Sequence, residues 1–214
     1  MKKNKKIYPS PPLLTEKLIS HDFFLEDEES FIGSELSNTD QSYGEASSLL
    51  IRDSHLRGIT MQRATLERFE CSNVIFENCD FSNLEWIGGS FHQVLFKQCK
   101  LTGINFAESY LRDCQFENCL TEFSSFNTTK LDSTAFIDCR LDNSEFEQVT
   151  WKNLLFEGCS LSSTVWFDTS LNGLDLTKNK FQSIALSREL ISGLIVNQEQ
   201  ALTIAETFGM IIQE

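Results

Sequence analysis

Cysteine is the residue type whose spacing first suggests chemistry, because five of the seven cysteines recur at a fixed interval of 20 residues. Thiols can hold a metal ion, but a zinc site requires convergent cysteines at short Cys-x-x-Cys spacing, which this chain lacks. A constant interval of this size is typical of stacked units, in which equivalent residues lie above one another. We therefore expect reduced thiols that act as small apolar fillers. The spaced cysteines are Cys79, Cys99, Cys119, Cys139 and Cys159.

The other chemistry-bearing residues form no catalytic pattern. The three histidines, His21, His55 and His92, lack a partner arrangement beyond the repeat itself, and we expect them at the surface. The chain has neither a Gly-x-Ser-x-Gly nucleophile elbow nor a glycine-rich phosphate loop. Paired acids could hydrolyse glycosides, but outward acids on a regular rod lack the concave, desolvated setting that this chemistry needs. The sequence predicts no enzyme, no cofactor and no metal site.

A period of five residues underlies the interval of 20. From Phe76 to Leu186 every fifth residue is Phe, Leu or Trp, with Thr121 as the one exception. Two positions before each of these lies a small or aliphatic residue, as in Val74 and Leu84. This period fits neither an α-helix nor a flat strand, so both positions must point inward by a different winding.

Four such units per turn are the simplest closed winding. Residues 20 apart then stack directly, and the aromatic residues form ladders that bury much apolar area. The sequence therefore predicts an all-β, four-sided β-solenoid with a packed interior. One of its ladders is Phe76, Phe96, Phe116, Phe136 and Phe156.

The repeat unit resembles that of the pentapeptide-repeat proteins: a small residue, Asp or Asn, Leu or Phe, then two polar residues. Two units that carry this pattern are Cys79-Asp80-Phe81-Ser82-Asn83 and Cys139-Arg140-Leu141-Asp142-Asn143. The frame holds from about Leu49 to Leu186. Within the family, the stretch 71–91 is similar to the Qnr-type fluoroquinolone-resistance proteins, especially the chromosomal enterococcal type.

This resemblance implies a right-handed quadrilateral β-helix of about eight coils with a C-terminal capping α-helix. It also implies a homodimer formed through the C-terminus. The implied partner is a type II topoisomerase, DNA gyrase or topoisomerase IV, whose supercoiling activity would be inhibited, with fluoroquinolone resistance as a consequence. None of these functional expectations comes from the periodicity.

Three segments are predicted along the chain. Residues 1–20 form an N-terminal arm, in which the stretch Pro9–Pro12 favours an extended, weakly ordered course. Residues 21–195 form the solenoid, with irregular first coils because the frame is degenerate from His21 to Ser48. The frame leaves no room for an inserted loop. Since some Qnr-type relatives need such loops for drug protection, we expect inhibition of the enzyme more than protection.

Residues 196–214 form a helix and a dimerisation segment. Asn197 and Gln200 have the spacing of a capping box, and Ala201, Leu202, Ile204, Ala205 and Phe208 mark an apolar helical stripe that ends at Gly209. This helix would cover the exposed end of the solenoid. We expect the apolar residues that follow to pair with a second copy rather than fold back. The predicted dimer contacts are Phe208, Met210, Ile211 and Ile212.

Charge argues against direct binding to nucleic acid. The formal net charge is −13, with 31 acids against 18 bases, and four of those bases lie in the first six residues. Eight coils at about 4.8 Å would give a rod of roughly 38 Å, over which duplex DNA carries about 22 charges. Partial mimicry of DNA is therefore physically plausible. No apolar window long enough for a membrane span and no convincing signal peptide are present, which predicts a cytoplasmic protein.

The register predicts where the acids lie. The acidic face is centred on Leu66, Trp86, Phe106, Phe126, Phe146 and Trp166, and Arg68 is its only base; a second group, taken as its neighbour, is centred on Phe76 to Phe156 and includes Lys97. A further side mixes Arg112, Asp113, Lys130, Asp132 and Lys152. The predicted partner-binding acids are Glu67, Glu85, Glu108, Glu145, Glu147 and Asp168 on the acidic face, and Glu77, Glu117, Asp138 and Glu157 on the second group.

Two classes of function remain open. A topoisomerase inhibitor would concentrate acidity along adjacent faces of a dimeric rod and occupy a groove meant for DNA. A non-enzymatic scaffold with another partner would scatter its charge, and salt would matter little to its binding. A hydrolase on a β-solenoid is a remote third.

Overall fold

The computed structural model describes residues 8–14 and 17–213 as a parallel β-solenoid of about eight turns. The all-β solenoid predicted from the sequence is therefore confirmed. The solenoid is followed by one short α-helix, α1 (Gln198–Thr207). The strands are β1 (Ile19–Ser20), β2 (Ser30–Ile32), β3 (Ser34–Ser37), β4 (Glu45–Ser47), β5 (Leu50–Arg57), β6 (Thr65–Glu67), β7 (Glu70–Glu77), β8 (Ser90–Lys97), β9 (Tyr110–Glu117), β10 (Lys130–Ile137), β11 (Thr150–Glu157), β12 (Thr164–Trp166) and β13 (Ile184–Leu186).

The strand register gives the coil length directly. From β5 to β11 every paired residue is 20 positions from its partner, as in Phe76 with Phe96 and Phe116 with Phe136. The eight-residue strands each cover two faces, and isolated parallel bridges such as Glu85 with Asn105 continue the other two. Four five-residue segments therefore make one turn, as the repeat predicts.

The turns of the coil come from a left-handed residue at every fifth position. From residue 28 to residue 173 each such position has φ between 49° and 88°. Asn, Asp and Gly tolerate this region best, and they occupy many of these corners. Gly158 shows a close approach as well, since a Cβ there would lie 2.2 Å from the Asp138 side chain. Because no corner is missing, no inserted loop interrupts the rod between these residues.

Stacked aromatic rings fill the interior. Phe116 is fully buried, and its ring stacks on Phe96 at 4.7 Å and on Phe136 at 4.6 Å between centroids. The Phe116 ring also packs edge-on against the Phe126 ring across the interior, with 6.2 Å between the ring centroids and 88° between the ring planes. Offset-stacked and edge-on pairs are the favourable aromatic geometries, so the ladder adds to the stability given by apolar burial. The exception in the frame, Thr121, is also buried, and its hydroxyl donates to the carbonyl of Arg140 at 2.8 Å.

The small inward position supplies a hydrogen-bond donor as well as volume. The Cys119 thiol donates to the carbonyl of Phe96 at 3.4 Å, and Ser144 makes the equivalent bond to Thr121 at 2.7 Å. All seven cysteines are buried and free. Burial raises the pKa of the Cys99 and Cys114 thiols. The filler role is confirmed, and the donor role explains why Cys, Ser and Thr share this position.

The described part of the N-terminal arm, residues 8–14, lies along the rod. The amide of Ser10 donates to Asp113, Gln93 donates to the carbonyl of Pro11, and the amide of Leu13 donates to Asn73 at 2.6 Å. These partners are corner residues of successive coils. The expected weakly ordered course is wrong for these residues, because the stacked corners present side-chain partners at matching intervals. Lys2, Lys3, Lys5 and Lys6 lie outside the described residues.

Helix α1 closes the far end of the solenoid with the predicted capping box. The Asn197 side chain accepts from the amide of Gln200, whose side chain accepts in return from the amide of Asn197. Gln200 also donates to the carbonyls of Leu176 and Asn179, both at 2.8 Å. The apolar stripe is wrong for Ala201 and Leu202, which are both exposed, because the side of the helix that packs on the solenoid buries Gln200 and Ile204. Within the described residues, no helix is long and apolar enough to cross a bilayer.

Replacing Phe116 by Asp should unfold the chain, because an unpaired carboxylate would replace a ring between two stacked partners. The expected loss is on the order of 4 kcal/mol or more, which approaches the whole stability of many domains. Circular dichroism and thermal unfolding measure this. The control is Leu120→Asp on the same coil, where the residue is 39% exposed and bridges Lys100 and Arg140. A folded Phe116→Asp protein with an unchanged melting temperature would contradict the ladder.

Candidate interaction surface

The acidic face is one flat side of the rod. Strands β4, β6 and β12 and the bridges between them hold its inward residues, from Ala46 to Trp166, in the core. Outward residues on either side of each inward residue then form straight columns along the rod. The structure brings together on this face all six acids predicted for it: Glu67, Glu85, Glu108, Glu145, Glu147 and Asp168.

Few charges neutralise these carboxylates. Glu67 lies 3.8 Å from Arg68, which is the one ion pair of this face within the described part of the chain. Glu85 accepts from the Asn105 amide at 2.8 Å, and Glu145 accepts from the Asn127 amide at 2.7 Å. An asparagine positions a carboxylate without removing its charge. The acidic face therefore presents aligned, negatively charged groups to solvent.

Sequence reasoning missed Glu45. This exposed residue of β4 lies one coil before Thr65 in the same column, so it belongs to the acidic face. With Asp27 and Glu67 it lines a shallow cavity of about 200 Å³. The frame around Ala46 looked degenerate because alanine is a weak core residue, although Ala46 is buried in the interior. The 20-residue coil interval alone would have placed Glu45 on the acidic face.

The second group of predicted acids lies on the opposite face, not on a neighbouring one. Its inward residues precede those of the acidic face by ten positions, which is half a coil, and their rings meet across the interior, as Phe76 and Trp86 do at 5.9 Å. The prediction of adjacent acidic faces is therefore wrong. The residues that belong to this opposite face are Glu77, Glu117, Asp138 and Glu157.

Basic residues neutralise much of the negative charge of the opposite face. Glu77 pairs with Lys97 at 2.9 Å and with Arg57 at 3.1 Å, and the hydrogen bond from Lys97 lowers the pKa of the Glu77 carboxyl. Glu157 pairs with Lys178 at 2.8 Å and accepts from the Tyr8 hydroxyl at 2.8 Å. Ion pairs between adjacent coils thus reduce the field of the opposite face.

The remaining acids of the opposite face differ in exposure. Glu117 is half-buried and accepts from the Gln115 amide, while Asp138 is exposed at a left-handed corner with φ of 52°. Residues 8–14 run along the corner between the opposite face and the mixed face that carries Lys130 and Lys152. These residues therefore do not cover the acidic face.

The C-terminal end presents apolar side chains. Ile211 is 88% exposed, and Met210 and Ile212 are also exposed. Phe208 is different, because it packs partly against the core and the Arg188 guanidinium lies 5.2 Å from its ring centre. Three of the four predicted dimer contacts are therefore accessible, while Phe208 is largely used within the chain.

The described residues offer few arrangements suited to catalysis or metal binding. No cluster of three or more His, Cys, Asp or Glu suited to a metal ion occurs within residues 8–14 and 17–213. The larger cavity, of about 510 Å³, opens at the N-terminal end of the rod and is lined by residues that include His21, Asp22 and Glu29. The corners are regular from residue 28 onward, so the expected irregularity of the first coils is wrong for residues 28–48. His55, expected at the surface, is mostly buried between Glu35 and Glu77 at 3.4 Å from each. It is placed by the stacking of coils and not by a catalytic arrangement.

A family model described as a pentapeptide repeat region matches residues 89–166. This chain carries a pentapeptide repeat. The left-handed corners and inward ladders described above extend the same pattern from residue 28 to residue 173. No curated protein matches the chain.

Solved structures of repeat proteins also match. A trypsin-treated form of QnrB1, a plasmid-mediated fluoroquinolone resistance protein, is 18% identical over 91% of this chain and 100% of its own, with a TM-score of 0.36. HetL, a pentapeptide repeat protein involved in heterocyst differentiation regulation from Nostoc sp. strain PCC 7120, is 16% identical over 79% of this chain and 85% of its own, with a TM-score of 0.27.

Replacing Glu77 by Gln should lower stability at neutral pH, by at most about 1 kcal/mol for a partly exposed ion pair. The folded-state pKa of Glu77 lies below its ordinary value of 4.5, so the carboxylate stabilises the fold above that value. This contribution is lost as the pH falls through the folded-state pKa. Thermal unfolding between pH 7 and 3 should show the difference from wild type shrinking toward acid. The control Glu108→Gln, at an exposed position, should follow wild type throughout; a difference constant with pH would contradict this assignment.

Proposed function

We propose that this pentapeptide-repeat protein binds a type II DNA topoisomerase, chiefly DNA gyrase, in place of a DNA segment and inhibits its supercoiling activity. The observation that carries this proposal is the acidic face, on which carboxylates from three adjacent columns of the rod share one ion pair within the described residues. The sequence resemblance to Qnr-type proteins supplies the class of partner. The repeat fold supplies the rigidity, because each column is held by the stacked core.

The density of charge fits partial mimicry. From Glu45 to Asp168 the acidic face carries seven acids and Arg68. This leaves six net negative charges over about 29 Å, a length on which duplex DNA carries about 17. A protein groove contacts only part of the DNA circumference, so one face needs only part of that charge. Such a surface would be steered toward a basic groove by long-range attraction.

The second candidate is a non-enzymatic scaffold with a different partner. The opposite face favours the scaffold, because the acids of that face lie on the other side of the rod from the acidic face. Some of them are also paired with Lys97 and Lys178. Acidity is therefore not spread over adjacent faces, as a wide DNA mimic would require. In both candidates the protein acts by binding and not by catalysis, and a topoisomerase partner would place it in the cytoplasm.

Reversing four acids of the acidic face, Glu85, Glu108, Glu145 and Glu147, to Lys should abolish inhibition of gyrase supercoiling. Attraction to a basic groove would become repulsion, while the fold should persist because these side chains are exposed or half-buried. The matched control reverses Lys130 and Lys152 to Glu on the mixed face, which should leave inhibition intact or strengthen it. Inhibition by wild type should also weaken steeply with salt, since exposed charges are screened within about 8 Å at physiological ionic strength.

Equal inhibition constants for the two variants, or inhibition that is indifferent to salt, would contradict charge mimicry and favour the scaffold. The same assay with a fluoroquinolone separates inhibition from protection. Since no loop interrupts the frame from residue 28 to residue 173, we expect little relief of drug-stabilised cleavage complexes. Relief by the purified protein would show that loops are unnecessary and would extend the proposal to resistance.

We also propose a homodimer formed through the C-terminal end. The exposed side chains of Met210, Ile211 and Ile212 follow a capping helix and would leave water on pairing with a second copy. Deleting residues 210–214 should therefore shift the sedimenting species from dimer to monomer. The control Leu13→Ser changes an exposed apolar residue at 75% exposure on the N-terminal arm and should leave the dimer intact. A monomeric wild-type protein at micromolar concentration would refute this proposal.

A further inference from the structure

Phe123 is an exposed aromatic residue at a left-handed corner. Its φ is 59° and its side chain is 64% exposed. It lies at the corner between the acidic face and the face that carries Lys100 and Arg140. The left-handed region is unfavourable for a bulky side chain, and such outliers are enriched at functional sites. The equivalent corners of the nearest coils hold Asn83, Gly103, Asn143 and Ser163, which meet the backbone requirement at lower cost.

The fold does not use the Phe123 ring. Within residues 8–14 and 17–213, no aromatic ring pairs with it and no cation lies over it. Tyr43 gives a contrast, since it occupies the same column of corners and is 68% exposed, but the Arg63 guanidinium lies 5.9 Å from its ring centre. The hydrogen bond at Phe123 runs from its amide to the carbonyl of Asp142 at 3.1 Å, which any residue but proline could form.

The backbone around Phe123 is held firmly. The hydroxyl of the buried Ser124 donates to the carbonyl of Thr121 at 2.6 Å and lies 3.2 Å from the carbonyl of Leu101, while the Ser124 amide donates to the Ser144 hydroxyl at 3.3 Å. Thr121 on the other side is buried as well. A ring presented from so fixed a corner loses little freedom on binding, and this preorganisation increases affinity. Buried aromatic anchors carry much of the energy of protein interfaces.

The surroundings indicate the kind of partner. Two residues after Phe123, Ser125 bridges to Glu145 in the next coil, so the ring lies beside the column of carboxylates on the acidic face. Glu122, by contrast, is paired with Arg140 at 3.0 Å. A surface that joins uncompensated acids to exposed apolar side chains, with Phe123 at its edge and the less exposed Ile87 and Phe167 on the face itself, is complementary to a basic protein groove with an apolar pocket at its edge. Nucleic acid is excluded by the like charge.

We propose that Phe123 is an apolar anchor that enters a pocket on a basic protein partner while the acidic face occupies the adjoining groove. This inference rests on the proposed function and adds a specificity determinant to it. Charge would bring the partner to the face, and the ring would fix the register along an otherwise repetitive rod.

The test compares Phe123→Asn with the matched variant Tyr43→Asn, measured as inhibition and direct binding of purified gyrase at several salt concentrations. Phe123→Asn places the residue found at two neighbouring corners, so its melting temperature should equal or exceed that of wild type. Its affinity should fall on the order of tenfold or more, with an unchanged dependence on salt. Tyr43→Asn should bind as wild type does, and Phe123→Leu should recover most of the lost affinity.

The other outcomes would overturn the anchor in different ways. Wild-type affinity in Phe123→Asn, while the four-acid reversal abolishes binding, would remove the anchor and leave the proposed function standing. Absence of gyrase binding by wild type would remove both. A shift from dimer to monomer in Phe123→Asn would show that the ring contacts a second copy of this chain instead of a basic partner.

Discussion

The structure depends on one backbone constraint, the left-handed residue at every fifth position. Each such residue turns the chain at a corner, so that an extended segment of a few residues lies between two bends. The inward positions of successive segments, such as Phe76, Cys79 and Phe81, then all face the same interior, whereas a continuous strand would point residues at such odd spacings to opposite faces. The constraint selects residues by backbone conformation, and this is why Asn, Asp and Gly recur at corners that point to solvent.

Coil stacking converts this local constraint into a rigid rod. Phe116 stands between Phe96 and Phe136 in parallel stacking, and each ring meets a ring of the opposite face edge-on. The small inward position closes the remaining gaps and satisfies a carbonyl 23 residues earlier, as Cys119 does for Phe96. The core is therefore neither a cavity nor a reactive site. The seven free cysteines in this setting are buried packing residues.

Function is left to the outward positions, and there the faces differ. The acidic face keeps its charge because its hydrogen-bond partners, such as Asn105 and Asn127, are neutral. The opposite face loses much of its charge to Lys97 and Arg57. Residues 8–14 lie on a corner that borders the opposite face and do not cover the acidic face. One rod thus presents two surfaces with different electrostatic character.

The sequence by itself determined the coil length, the inward ladders and the capping box at Asn197, because each follows from local spacing that recurs or from a single pair of residues. The inward residues of the two acid groups are ten positions apart, which is half of a 20-residue coil. The sequence alone therefore also implied that the two groups lie on opposite faces. Only the tertiary structure decided which carboxylates are neutralised, since the pairing of Glu77 depends on side chains from three coils. It also decided the path of residues 8–14, whose partner Asp113 is 103 positions from Ser10. Such contacts join distant parts of the chain after the coils have stacked, and no local pattern encodes them.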